Sequence, residues 1–318
     1  MQGGQKEILE LQNGDQLEGF YLLKDPQIKT AANGKLFLKM GLSDCSGSVE
    51  GKVWDYTGPI SASDNGAVVY VKGVVSEYRG ALQVIVSSIR LAGPNDRYDI
   101  ADLVPTAPID VEEVFQEVED LVFSSIEDPD YRRLCEVLME RHKEAFKTIP
   151  AAKTVHHAFL GGLLMHTANM LRIADFLADL YGDSIDRGLL LAGTLLHDIG
   201  KIQEFSFSNL GLVTEYSAAG NLLGHLTIGA GEVRHAAEEL GIPDRKSLLL
   251  QHLILSHHGK PEFGTAVKPI CAESLLLSQI DMLDSHMEIY REELGRLKPG
   301  EFSGRTFALD GPIYRHYF

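Results

Sequence analysis

The sequence predicts a multidomain protein of mixed α and β class, with a small N-terminal β-barrel or sandwich followed by an all-α domain. Three observations predict it. In the first 100 residues apolar side chains alternate at every second position, in short runs closed by turn signals. After Pro108 the apolar spacing becomes helical and stays so to Leu294. Between the two, Gly93, Pro94, Pro105 and Pro108 punctuate residues 91–108 as a linker.

The β elements come first. Leu36-Phe37-Leu38-Lys39-Met40-Gly41-Leu42 alternates and puts Leu36, Leu38, Met40 and Leu42 on one face. Val49-Glu50-Gly51-Lys52-Val53-Trp54 alternates again, and Val68–Val75 and Leu82–Val86 are β-branched runs. Asn33-Gly34, Asp44-Cys45-Ser46-Gly47, Asn65-Gly66 and Arg79-Gly80 supply the turns. If the leucines, Met40, Val49 and Val53 point inward, then Phe37, Lys39, Lys52 and Trp54 point outward on one face. Aromatic rings for stacking and lysines for the backbone suit sequence-tolerant binding of a single strand. The competing arrangement covers Trp54 with the linker.

The helical part opens at Asp110-Val111-Glu112-Glu113, a capped and acid-rich start. Val111, Val114, Phe115, Val118, Leu121 and Val122 follow at helical spacing. From Tyr131 to Leu294 the pattern is helical, with no strand-like alternation. The tail from Phe302 to Phe318 carries Tyr314 and Tyr317 and is too aromatic for a free end. It is expected to pack on a domain or on a neighbouring subunit.

Composition narrows the function. The 318 residues carry 29 basic and 45 acidic side chains, a net charge of −16. The excess is local: −2 over residues 1–100, −8 over 101–150 and −6 over 151–318. The acidity therefore excludes broad, sticky binding to phosphate backbones but leaves the N-terminal domain close to neutral. No apolar run approaches the roughly 18–20 residues that span a bilayer, so no membrane partner is expected. The N-terminus lacks the apolar core of a signal peptide. Cys45, Cys135 and Cys271 are far apart and form no CxxC pair, which speaks against a disulfide framework or a zinc knuckle. A cytoplasmic protein is the expectation.

The chemistry lies in the histidines. His197-Asp198 ends the apolar helical run Gly188–Leu196, so a carboxylate is carried into a dry pocket where it needs a cation or several hydrogen bonds. His166 follows Gly161-Gly162-Leu163-Leu164-Met165, and His225 stands near the start of an amphipathic helix. His257-His258 ends the helix Ser247–Leu255, and Asp281 lies in the helix Ser274–Leu283. Taken singly, each is more often a satisfied core residue than a ligand. Together they are one or two donors from each of five helices, which is how helical bundles build metal sites. Mixed imidazole and carboxylate ligation suits manganese, iron, zinc or nickel, and two such ions can share a bridging carboxylate. His142, His235, His252, His286 and His316 sit in polar surroundings and are expected at the surface. His156 and His157 either overhang the site or cap a loop.

The order His166, His197-Asp198, His225, His257-His258, Asp281 resembles the HD-domain metal-dependent phosphohydrolase superfamily. The stretches His156–Thr167, His197-Asp198-Ile199-Gly200-Lys201, Ser256-His257-His258-Gly259 and Asp281-Met282-Leu283-Asp284 are similar to its YhaM-type 3′-to-5′ exoribonuclease branch. That branch carries an N-terminal OB-fold before the HD domain. Met165 stands where the branch commonly has an acidic residue, and Ser278-Gln279 replaces a histidine-containing pair.

The resemblance implies an OB-fold over residues 1–100, an acidic linker with leading helices over 101–150, and an HD domain over 151–318. It implies that His166, His197, Asp198 and Asp281 hold one divalent metal. Asp198 would bridge to a second ion held by His225 and His257, with His258 alternative or additional. Manganese is the first expectation, with magnesium, iron(II), nickel or zinc as alternatives. Lys201 would neutralise a phosphate oxygen; without that context it reads as a solvated helix-end lysine. The implied reaction is stepwise hydrolysis of single-stranded RNA, with DNA as a second substrate, to nucleoside 5′-monophosphates. Two ions would activate water, so no Ser or Cys nucleophile is required. Two competing functions remain: a phosphohydrolase for a small or cyclic nucleotide, and a non-catalytic nucleic-acid-binding protein with a degenerate HD domain. A homo-oligomer stays open as the assembly.

Overall fold

The computed structural model describes residues 5–152, 159–207, 211, 213–306 and 309–317. The chain divides into two compact units, one of residues 1–106 with 207–212 and the other of residues 107–206 with 213–318.

In the first unit, β1 (Gln16–Thr30), β2 (Leu36–Ser43), β3 (Ser48–Trp54), β4 (Val68–Tyr78) and β5 (Ala81–Leu91) close a barrel in the order β1-β2-β3-β5-β4. All ladders are antiparallel except β3–β5. The alternation explains the interior: Leu38, Met40, Leu42, Val69, Val71, Val75, Val84 and Val86 are buried together with Leu17, Tyr21 and Leu23. Val49 and Val53 pack against that core from its margin. Leu36 departs from the expected inward set. It is 48% exposed, because it opens β2 where the strand leaves the barrel's cover. The long β1 carries little clean alternation and was not legible as a strand. A short helix α1 (Ile100–Leu103), capped by Asp99, stands within the region read as linker and buries Leu103 and Val104.

The second unit is helical. It opens with α2 (Val111–Ser125) and α3 (Pro129–Thr148), whose N-terminal N–H groups are capped by Asp110 and Asp128. Then come α4 (Gly162–Tyr181), α5 (Arg187–Leu196), α6 (Lys201–Glu204), α7 (Ala218–Leu240), α8 (Asp244–Ser256) and α9 (Ala272–Arg296). Every α5 residue from Gly188 to Leu196 is buried, which makes it the central helix. Strands β6 (Phe205–Phe207) and β7 (Val213–Tyr216) pair as a two-stranded sheet, which corrects the expectation that no strand follows Tyr131. Neither strand is long enough for alternation to register against the helical background. The tail is anchored to the end of α9: Ile313 is buried, and the Arg315 guanidinium donates to the carbonyls of Leu294 and Leu297. Phe302 and Tyr314 stack at 4.7 Å but stay largely exposed, as does Tyr317; Phe318 lies outside the described residues.

Among the described residues no helix is long and apolar enough to cross a membrane.

Candidate metal centre and strand face

The second unit brings all seven sequence-predicted donors together. His166 comes from the first turns of α4, and His197 caps the C-terminus of buried α5 with Asp198 just beyond it. His257 caps α8, His258 follows, and Asp281 comes from α9. Two glycines place His225. A Cβ on Gly200 would stand 2.1 Å from the His225 carbonyl oxygen, so only glycine lets the turn after Asp198 lie against α7. Gly224, at φ 70 and ψ 157, breaks α7 immediately before His225. At that break the His225 N–H turns to Glu204 and donates to its Oε1 at 2.9 Å.

The hydrogen bonds settle the imidazole tautomers. Nδ1 of His197, His257 and His258 lies 2.8, 2.9 and 2.8 Å from the carbonyl oxygens of Thr194, Ile254 and Phe263. Nδ1 of His166 lies 2.7 Å from Asp284 Oδ2, and Nδ1 of His225 lies 3.0 Å from Glu204 Oε1. Carbonyl and carboxylate oxygens accept, so each Nδ1–H donates and each Nε2 is turned to the centre. This is the arrangement that presents imidazole to a metal.

Two donor groups result, His166–His197–Asp198 and His225–His257–His258, each with its ligand atoms within 4.8 Å of one another. Nε2 of His166 and of His197 stand 3.3 Å apart, as do those of His225 and His258. Asp198 serves both groups with different oxygens. Its Oδ2 is 3.2 Å from His197 Nε2, while its Oδ1 is 3.6 Å from His225 Nε2 and 3.7 Å from His257 Nε2. Asp281 Oδ1 adds a carboxylate 3.3 Å from His166 Nε2. Among the described residues the buried Asp198 Oδ1 has no hydrogen-bond partner. A carboxylate oxygen in that position is costly unless a cation meets it. The donor set of imidazoles and carboxylates fits divalent transition metals.

The charges agree with that reading. Burial pushes the Asp198 carboxyl up, but Lys201 and His197, with His225, hold it well below the ordinary carboxylate range. Asp281 is likewise held down, its burial outweighed by His166 and its neighbours. Burial, with His197 and His258 beside it, pushes His257 well below the usual imidazole value, so its Nε2 lone pair is available at neutral pH. Burial and His225 push His258 down as well. His166 moves the other way: burial lowers it, but Asp281 and Asp284 outweigh that and raise it to about 9. A metal taken up at its Nε2 must displace a proton. Lys201 Nζ lies 2.5 Å from Asp198 Oδ2 and so is turned to the carboxylate.

His166, Asp198, His257, His258 and Asp281 line a cleft of about 630 Å³, together with Lys201, Lys260, Phe263, Gln279, Met282 and His286. His286, expected at the surface, is partly exposed and lines the cleft. His142, also expected at the surface, is half-buried against Glu232. His156 and His157 lie outside the described residues. Sequence reasoning missed Glu204 and Asp284. Asp284 carried a signal, since it stands one helical turn after Asp281 and shares its face. Glu204 carried none, because it meets His225 across 21 residues and the β6–β7 sheet.

In the barrel, the β2–β3 register pairs Phe37 with Trp54 and Lys39 with Lys52, as the alternation implies. The two rings stand 4.9 Å apart, and Trp54 is 51% exposed. The lysines are not free cations. Glu50 lies 2.6 Å from Lys39 and 2.9 Å from Lys52, and Lys52 also reaches Gln83 at 2.9 Å.

Comparison with known proteins supports both halves. Residues 163–285 match the HD domain family, and residues 27–92 match an OB-fold nucleic acid binding domain. The chain therefore carries an N-terminal OB-fold barrel followed by a helical HD domain. Among solved structures, the second OB-fold domain of replication protein A from Methanococcus maripaludis is 17% identical, covering 30% of this chain and 98% of that one, with a TM-score of 0.21. A putative aspartyl-tRNA synthetase from Leishmania major Friedlin is 11% identical, covering 79% of this chain and 55% of that one, with a TM-score of 0.22. Likeness at that level carries no argument about either domain.

Proposed function

We propose that this protein is a divalent-metal-dependent phosphohydrolase that shortens single-stranded RNA from its 3′ end and releases nucleoside 5′-monophosphates. The observation that carries the reading is Asp198 Oδ1, a buried carboxylate oxygen without a hydrogen-bond partner among the described residues, set between imidazoles whose Nδ1 atoms are all engaged. His166, His197, Asp198 and Asp281 would hold one ion, and His225, His257 and His258 the other, with Asp198 shared. Two such ions, when bound, supply an acidified water and charge neutralisation at the scissile phosphate. Asp284 and Glu204 hold the imidazoles of His166 and His225 in the tautomer that presents Nε2. Lys201 stands where it can pass from Asp198 to a phosphate oxygen as a point charge. The OB-fold barrel supports a nucleic-acid substrate, with Phe37 and Trp54 as the stacking surface. Preference for RNA and the direction of cutting rest on the resemblance to the YhaM-type exoribonucleases.

The test is incubation with manganese and a 5′-end-labelled single-stranded RNA, beside DNA of the same sequence and a cyclic nucleotide. A ladder shortening from the 3′ end, lost in Asp198→Ala, is expected. Turnover of the cyclic nucleotide alone would replace this reading with a small-nucleotide phosphodiesterase, and binding without turnover would leave only a binding protein.

A further inference from the structure

We infer that the cleft beside the metal centre contains a subsite for the nucleobase of the terminal nucleotide, with Phe263 as its stacking platform. The inference rests on the nucleic-acid reading above and adds what the cleft does with the base. Phe263 lines the cleft yet is 60% exposed, an aromatic ring kept open to solvent beside a cluster of buried donors. Its position is tied to that cluster. The His258 imidazole donates from Nδ1 to the Phe263 carbonyl at 2.8 Å, so one histidine orients both its own Nε2 and the loop bearing the ring.

The loop is pinned twice more. The Phe263 N–H donates to the Lys260 carbonyl at 3.0 Å, and the Thr265 hydroxyl donates to the Leu255 carbonyl at 2.6 Å. Lys260 Nζ stands 5.9 Å over the Phe263 ring and lines the same cleft. A ring with a cation beside it is the combination that holds a base by its face and a phosphate by its charge. Met282 adds an apolar wall, and Gln279 offers a carboxamide that both donates and accepts. Stacking reads the face that all bases share, so the subsite grips any terminal base. This suits an enzyme that must step along a strand of mixed sequence.

The test compares two labelled single-stranded RNAs, identical except that one ends in an abasic 3′ nucleotide, with the manganese-loaded full-length protein. The wild type is expected to favour the base-bearing end in kcat/KM by on the order of tenfold. Phe263→Ala should bring that ratio close to one through KM, and Phe263→Trp should retain it. Because the readout is a ratio within one variant, a general loss of folded protein does not affect it. A wild type that cuts both ends equally, or a Phe263→Ala variant that keeps the wild-type ratio, overturns the subsite while leaving the nuclease reading intact. A wild type that cuts neither RNA overturns the nuclease reading, and the subsite with it.

Discussion

Gly200→Ala should move His225 and weaken the metal centre without touching a ligand. The added Cβ would lie 2.1 Å from the His225 carbonyl oxygen and 2.7 Å from the Gly229 nitrogen. A carbon–oxygen contact is comfortable only beyond roughly 3.3 Å, so α7 must retreat by roughly 1 Å. Both obstructing atoms are backbone, and no side-chain rotation relieves them. Overpacking of this kind costs about 1–3 kcal/mol of stability. The displaced carbonyl is that of His225 itself, so its imidazole moves with it. A misplacement of about 1 Å in such a site costs on the order of a hundredfold in rate. Urea unfolding of chelator-treated protein measures the first effect. Manganese titration by calorimetry, with RNA turnover beside it, measures the second. A Gly200→Ala variant with wild-type midpoint and wild-type manganese affinity would refute the claim that this contact sets His225.

Three further outcomes are expected. Glu204→Ala removes the acceptor of both the His225 N–H and its Nδ1–H, and should weaken metal binding by about 10–100-fold, with Glu204→Gln less affected; calorimetric titration checks it. In chelator-treated protein, His166 holds its proton up to about pH 9, above the unfolded value of 6.5. Its contribution to stability is therefore complete below 6.5 and lost as the pH rises through 9, a decline of about 3 kcal/mol that denaturant melts should lose in His166→Gln. On the barrel, Glu50→Gln releases Lys39 and Lys52, so single-strand affinity should rise and the salt slope steepen by about one. Lys39→Ala with Lys52→Ala should do the reverse, and anisotropy titrations across salt that show no change in either variant would remove this face from the binding model.

Much of the architecture was legible because it follows from local periodicity. Leu38, Met40 and Leu42 had to share a face, and that alone set Phe37 against Trp54 once β2 paired with β3. The apolar run before His197-Asp198 required a buried helix, which carried a carboxylate into the core. What escaped was short or irregular. β6 and β7 are too brief for alternation, and β1 bends through a bulge between Lys24 and Gln27. Leu36 obeyed the alternation and still ended outside, because the period cannot tell where a barrel's cover stops.

By itself the sequence determined the order of a small barrel and a helical domain, and it offered the seven donors of the candidate centre. It could do so because periodicity, turns and buried-charge costs act between near neighbours in the chain. The family resemblance implied how those seven divide, and only the tertiary structure decided which atoms and partners orient them. Asp198 turns one oxygen to each histidine group, Glu204 and Asp284 lock two imidazoles, and Glu50 neutralises the lysines that the alternation had offered to a strand. The contacts of Glu204 with His225 and of Asp284 with His166 join residues 21 and 118 positions apart. Their geometry is set by close helix contacts such as Gly200 against α7, which no local pattern encodes.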